Sequence, residues 1–148
     1  MKETEFQVAT PAGFEPVILQ ELEKTQEIKG QAAMVTLTGD LGAGKTAFTQ
    51  QLATYLGVTE TVVSPTFGIM KGYELTNHPH FDWLIHIDAY RIEDIGETGP
   101  LRFEELFKTP RTLICLEWPE KISEIVPEEK VEVVIEIGEG ENREVTIR

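Results

Sequence analysis

Apolar residues recur along the chain with two spacings, one typical of β-strands and one typical of α-helices. Short runs rich in β-branched and apolar residues predict strands at Glu5–Val8, Met34–Thr38, Gly68–Leu75, Phe81–Asp88, Thr112–Glu117, Val131–Ile137 and Glu144–Ile147. Apolar residues three or four positions apart predict helices at Val17–Lys29, from Lys45 to Leu56, and at Phe103–Phe107. Pro16 marks the start of the first helix and Gly30 its end, and Gly57 ends the second.

The order of these elements predicts an α/β fold, a three-layer P-loop NTPase-like domain with a central mixed β-sheet. A hairpin is expected to join Gly68–Leu75 to Phe81–Asp88, which places antiparallel strands beside a parallel core. The strand Thr112–Glu117 is almost continuously apolar, which suits a strand buried on both faces. Because the chain has 148 residues and shows no repeat or linker, residues 1–148 are expected to form a single domain.

A glycine-rich segment between the strand Met34–Thr38 and the second helix fits the phosphate-loop pattern G-x-x-x-x-G-K-[ST]. It consists of Gly39, Asp40, Leu41, Gly42, Ala43, Gly44, Lys45 and Thr46. Glycines let successive backbone N–H groups point at phosphate oxygens, and the following helix adds its positive dipole end. The Lys45 ammonium is expected to reach the β- and γ-phosphates, and the Thr46 hydroxyl to be one ligand of an octahedral Mg²⁺. The alternative is a glycine turn before a surface lysine, but the strand and helix on either side favour a nucleotide site.

Two carboxylates end predicted strands near this loop. Asp88 and Glu117 each follow an apolar run, at the strand ends where open α/β sheets bind their ligands. One carboxylate would orient the metal shell and the other the attacking water, unless either is only a polar residue where a strand reaches the surface. Thr66 is a candidate switch residue for the γ-phosphate or metal, or else part of a turn. Trp118 either stacks on a partner or substrate or packs in the core.

Charge and composition narrow the function further. With 26 acidic and 13 basic residues, the chain has a net charge of −13, which disfavours direct, strong binding to RNA or DNA. No run approaches the roughly 18 apolar residues of a membrane helix and the N-terminus lacks a signal-peptide core, so a cytoplasmic location without membrane contact is expected.

Cys115 is expected in the core, and His78 and His80 on a surface loop. An N-K-x-D segment for reading guanine is not evident, which favours ATP over GTP.

Four motifs together resemble the TsaE (YjeE) family. They lie at Thr38–Thr46, Ser64–Phe67, His86–Arg91 and Glu117–Glu120, in the order and at the spacing of that family. The phosphate loop alone is shared by many ATPases and GTPases. The S-P-T-F, H-x-D-x-Y-R and E-W-P-E motifs distinguish this family from the others.

The resemblance implies an ATPase that uses Mg²⁺ and is required for threonylcarbamoylation of the adenosine next to the anticodon in tRNAs that read ANN codons. It implies TsaB and TsaD as partners, with TsaD transferring the threonylcarbamoyl group and tRNA reached only through the complex. By resemblance, Thr46 and Glu117 contact Mg²⁺ and Asp88 is a catalytic or metal-shell carboxylate. Thr66 is then a switch residue, and Thr10 lies near the nucleotide base.

Two other functions remain open at this point. A small-metabolite kinase would need a basic lid, and residues 89–111 hold three arginines but also several acids. A non-catalytic nucleotide-sensing module would gate a complex by binding alone. Transfer of the γ-phosphate to a small acceptor would indicate the kinase. Loss of hydrolysis with retained tRNA modification in Asp88→Asn or Glu117→Ala would indicate the sensor.

Overall fold

The chain folds as helices packed around one β-sheet. The computed structural model describes residues 3–40, 42–62 and 69–148. Within these residues the sheet has seven strands: β1 (Thr4–Val8), β2 (Ala33–Thr38), β3 (Met70–Glu74), β4 (Trp83–Asp88), β5 (Thr112–Glu117), β6 (Val131–Ile137) and β7 (Arg143–Ile147). The α-helices in the described residues are α1 (Glu15–Thr25), α2 (Lys45–Tyr55) and α3 (Phe103–Phe107). Turns of 3₁₀ helix cover Pro11–Phe14, Ile95–Leu101 and Pro119–Ile122.

The strand order is β1-β7-β6-β2-β5-β4-β3, which places the strand before the phosphate loop at the centre. β2 pairs in parallel with β5 and β6, and β4 continues the parallel core beyond β5. β3 pairs antiparallel with β4, and β7 pairs antiparallel with both β6 and β1. The predicted α/β class, the mixed sheet and the β3–β4 hairpin are therefore confirmed. Because β2, β4 and β5 run parallel, their carboxyl ends meet at one edge of the sheet.

Apolar side chains cover the sheet on both faces because successive strand residues point to opposite sides. Val35 and Cys115 belong to one apolar cluster, which also contains core residues of α1 and α2. Met34 and Ile114, one position away in each strand, belong to a second cluster that includes residues of α3. β5 is buried along its whole length, as its apolar sequence predicts.

The first helix ends earlier than its sequence predicts. Its N-terminus carries Pro16 in the first turn, as expected, but the helix ends at Thr25, so the predicted end at Lys29 is wrong. The N–H of Ile28 donates to the carbonyl of Thr25, a bond between residues three apart that tightens the last turn and stops the α-helix. No helix in the described ranges has the length and apolar character needed to cross a membrane.

Candidate functional site

The phosphate loop connects the end of β2 to the start of α2 at the carboxyl edge of the sheet. A Cβ atom on Gly39 would lie 2.4 Å from the carbonyl oxygen of Ile135, so a larger residue does not fit where the loop leaves β2. Gly44 has a φ of 116° directly before α2, a conformation that side-chain-bearing residues rarely adopt. The loop therefore delivers the unpaired N–H groups of the first turn of α2 to the edge where anions bind.

Lys45 is buried at the first position of α2, and its ammonium group lies inside the loop. The Nζ atom donates to the carbonyl of Gly39, and it is 3.4 Å from the carbonyl oxygen of Asp40. It also lies 3.9 Å from the ring centroid of Trp118. Burial lowers the pKa of Lys45, while the nearby carboxylates of Glu117 and others oppose that shift. The loop thus holds a buried cation within the field of several acids.

Asp88 and Glu117 are the last residues of neighbouring parallel strands and lie opposite each other in the register of β4 and β5. Glu117 is buried and Asp88 is half-buried. The backbone N–H of Tyr90 donates to Asp88 Oδ1 at 3.0 Å. In β4, His86 is also fully buried, and its Nε2 lies 2.5 Å from Oε2 of Glu117. The structure therefore brings the two sequence-predicted carboxylates together.

The donor set at this edge suits Mg²⁺ held jointly with a nucleotide. Thr46 lies in the first turn of α2, directly after Lys45, and its side chain is half-buried. Within the described part of the chain, no group of three or more His, Cys, Asp or Glu side chains is placed to hold a metal by itself. Mg²⁺ in nucleotide sites takes one or two protein oxygens and completes its octahedron with waters and phosphate oxygens. The Thr46 hydroxyl and one of the two adjacent carboxylates would supply that number of oxygens beside the phosphate loop.

A cleft of about 130 Å³ is lined in part by residues of the phosphate loop. Its lining includes Thr10, the predicted base-site residue, together with Phe14, Gly44 and Arg143. The Phe14 ring packs edge-on against the Phe48 ring, with centroids 5.5 Å apart. Arg143 Nε donates to the carbonyl of Ala43 at 2.9 Å, so the last strand of the sheet braces the phosphate loop. Sequence reasoning missed Phe14 and Arg143 because neither belongs to a motif, and Arg143 is 100 residues from its partner.

The aromatic residues near Lys45 form a partly exposed surface. Trp118 has a φ of 60°, is half-buried, and lies 5.0 Å from the ring of Tyr90 between centroids. Trp118 also packs against the apolar cluster that contains α3. Trp118 is therefore partly packed in the core, as one of its two predicted environments requires, while stacking on a partner or substrate stays a prediction.

Two predicted site residues fall outside the part of the chain that the structure describes. They are Leu41 of the phosphate loop and Thr66 of the S-P-T-F motif.

The remaining candidates lie away from the phosphate edge or inside the core. Cys115 is fully buried in β5, its thiol is 3.4 Å from the Thr49 hydroxyl, and burial raises its pKa, which confirms the prediction of a core residue. His78 lies between β3 and β4, and its Nδ1 accepts hydrogen bonds from the backbone N–H groups of His80 and Phe81, each at 3.1 Å. Both histidines are partly exposed in that connection, as predicted.

Comparison with known proteins gives consistent results. The sequence profile of the family described as "Threonylcarbamoyl adenosine biosynthesis protein TsaE" matches residues 17–145. The tRNA threonylcarbamoyladenosine biosynthesis protein TsaE of Bacillus subtilis (strain 168) is 43% identical over 114 residues, which are 76% of this chain and 67% of that protein. The protein of the same name from Rickettsia bellii (strain RML369-C) is 35% identical over 111 residues, 74% of this chain and 73% of that protein. The crystal structure of YdiB from Bacillus subtilis aligns with a TM-score of 0.71 and 30% identity, covering 99% of this chain and 84% of that one.

Proposed function

Since the chain belongs to the TsaE family, we propose that it is a Mg²⁺-dependent ATPase that supports threonylcarbamoylation of adenosine next to the anticodon in tRNAs that read ANN codons. The observation that carries the ATPase proposal is the meeting of Lys45, Asp88 and Glu117 at one sheet edge, beside the N-terminus of α2. Backbone N–H groups, one ammonium and two carboxylates are the parts that phosphoryl transfer to water requires.

Each group has a distinct role in this proposal. The loop residues Gly39–Lys45 and the first turn of α2 cradle the phosphates, and Lys45 neutralises charge on the β- and γ-phosphates. Thr46 and Glu117 hold Mg²⁺, and Asp88 orients the attacking water. Bound Mg²⁺–ATP supplies the phosphoanhydride to be cleaved and a cation that offsets its charge. Thr66 acts as a switch residue, which remains a prediction from the motif alone.

The cleft beside the loop is the proposed base site. Thr10, Phe14 and Arg143 line it, together with Gly44 of the loop. The largely buried Phe14 ring offers an apolar wall and the Arg143 guanidinium plane a stacking surface to a purine. The Thr10 hydroxyl and backbone groups offer hydrogen bonds. We propose that residues 1–148 act as one three-layer P-loop NTPase-like domain, with adenine in this cleft.

The proposed partners are TsaB- and TsaD-like proteins in the cytoplasm, with no membrane contact. The net charge of −13 argues that tRNA is reached through the complex and not bound directly by this chain. Trp118 and Tyr90 form an aromatic surface beside Lys45, and Tyr90 is 45% exposed. A partner that contacts this surface would be in a position to respond to the nucleotide.

Reconstitution tests the proposal directly. The rate of phosphate release from Mg²⁺–ATP is measured for this chain alone and with a TsaB–TsaD pair, in parallel with threonylcarbamoylation of tRNA. We expect the pair to raise the ATPase rate and repeated tRNA modification to require this chain. Equal ATPase rates with and without the pair would contradict the coupling.

One variant with a matched control tests, in the same assay, whether tRNA modification needs ATP hydrolysis. Asp88→Asn should reduce both ATP hydrolysis and multiple-turnover modification. Asp82→Asn is the matched control, because Asp82 precedes β4 at its opposite end and pairs with Arg111 on the surface. Full modification by Asp88→Asn without hydrolysis would favour a nucleotide sensor. Labelled phosphate on a small acceptor would favour a kinase.

A further inference from the structure

His86 belongs to the H-x-D-x-Y-R motif, yet the proposed function gives it no role. It is fully buried in β4, two residues before Asp88 and on the same face of the sheet. Its Nε2 lies 2.5 Å from Oε2 of Glu117. We propose that His86 is a positioning residue that fixes the Glu117 carboxylate for Mg²⁺ binding, an inference that rests on the proposed nucleotide-dependent metal site.

The sheet register explains how this contact forms. His86 lies opposite Cys115, and Asp88 lies opposite Glu117, so the histidine ring reaches diagonally to the carboxylate at the strand end. Above the same face, the Thr49 hydroxyl of α2 contacts the thiol of Cys115 at 3.4 Å. The ring therefore lies over the face of β4 and β5 that also packs against α2, with its Nε2 directed at Glu117 at the carboxyl end of β5.

The hydrogen bonds of the ring point to the same role. Nδ1 is buried and has no hydrogen-bond partner among the described residues. Within those residues, the hydrogen bond of the ring is therefore the one from Nε2 to Glu117. Burying an imidazole is costly unless its nitrogen atoms are bonded, and an apolar side chain would fill this position at lower cost. The observed arrangement is therefore explained better by what the ring does to Glu117 than by packing.

The effect on Glu117 follows from the chemistry of a carboxylate. A donor on Oε2 stops rotation of the carboxylate and leaves Oε1 as the oxygen that can serve a metal. Hydrogen bonds from residues behind a metal ligand fix its orientation, and their loss typically lowers metal affinity about 10–100-fold. A role limited to fold stability would instead affect nucleotide binding equally with and without the metal.

The test compares His86→Gln with His86→Leu in the full chain. The glutamine amide places an N–H donor near the position of Nε2, whereas leucine keeps the bulk but removes the donor. Cys115→Ala is the matched control, because Cys115 is equally buried beside His86 and its thiol is not bonded to Glu117. Two quantities are measured: ADP affinity in EDTA by calorimetry, and Mn²⁺ affinity of the ADP complex by electron paramagnetic resonance.

We expect His86→Leu to weaken Mn²⁺ binding about 10–100-fold, with ADP affinity in EDTA changed less than about twofold. His86→Gln should recover most of the metal affinity, and Cys115→Ala should match the wild type. If the leucine variant does not fold, His86→Asn replaces it, because the shorter amide cannot reach Glu117 from the same backbone position.

Two results would overturn the inference. One is equal Mn²⁺ affinity in the wild type and every His86 variant. The other is a loss of ADP affinity in EDTA that matches the loss with metal. Failure of the proposed function would give a different result. In that case the wild type itself would bind ADP equally well with and without Mn²⁺, or would not bind ADP at all.

Discussion

Glu21 is a carboxyl group enclosed in the apolar core, on the face of α1 that packs against the sheet. It is fully buried, and neither carboxyl oxygen has a hydrogen-bond partner among the described residues. Desolvation by burial raises the pKa of Glu21 from 4.5 to about 8. The folded protein therefore carries Glu21 as a neutral acid at neutral pH, whereas the unfolded chain carries it ionised.

This difference in proton binding makes stability fall as the pH rises. The folded-state pKa lies above the unfolded value, so the stabilising contribution is fully present below pH 4.5 and is lost as the pH approaches 8. Above pH 8 no further stability is lost. The total loss is at most about 5 kcal/mol, at about 1.4 kcal/mol for each pKa unit. Between about pH 5 and about pH 8.5, Glu21 accounts for a fall of about 4 kcal/mol.

Glu21→Gln removes the ionisation while keeping the shape of the side chain. Urea unfolding followed by circular dichroism gives the free energy of unfolding of both proteins at about pH 5 and about pH 8.5. The wild type should lose about 4 kcal/mol more than the variant over this range. Glu23→Gln, on the exposed side of the same helix, should follow the wild type within about 0.5 kcal/mol. Parallel pH profiles for the wild type and Glu21→Gln would refute a buried, neutral Glu21.

Two further predictions concern the phosphate loop and its aromatic neighbour. Gly39→Ala should lower the free energy of unfolding by about 1–3 kcal/mol in urea unfolding, because the new Cβ would lie 2.4 Å from the Ile135 carbonyl oxygen. Gly99→Ala should have little effect, since its Cβ would meet nothing within 4 Å, and equal losses would contradict the packing argument. In fluorescence titrations with Mg²⁺–ADP, Trp118→Phe should abolish the change in emission that nucleotide produces, while Trp83→Phe should keep it. An emission change that is lost in Trp83→Phe and kept in Trp118→Phe would contradict the prediction that Trp118 is the ring that responds to nucleotide.

Much of the fold follows from local sequence patterns. The bounds of β5, β6 and α3 agree with their predicted ranges because the spacing of apolar residues within each segment identifies it as strand or helix. The end of α1 does not follow from such a pattern, since bonds between residues three apart decide where it stops. The position of β2 between β5 and β6 also depends on pairing between distant segments, which no local pattern contains.

The candidate site divides in the same way. Lys45, Asp88 and Glu117 were predictable because a phosphate loop and the carboxyl ends of parallel strands share one edge of an α/β sheet. The brace from Arg143 and the contact from His86 to Glu117 link residues 100 and 31 positions apart. The periodicity of the sequence contains no information about contacts between residues so far apart. Leu41 and Thr66 remain predictions from their motifs.

Nucleotide binding by calorimetry, with Mg²⁺ present, tests the central claim most directly. The wild type should bind ATP or ADP at one saturable site. Lys45→Ala should weaken that affinity at least about tenfold, because a charge-assisted contact to phosphate contributes about 1.5–3 kcal/mol. Lys71→Ala is the matched control, since that ammonium also lies near an aromatic ring, 5.4 Å from the Tyr73 centroid, but on exposed β3. Absence of nucleotide binding by the wild type, or unchanged affinity in Lys45→Ala, would contradict the claim that this loop is a phosphate site.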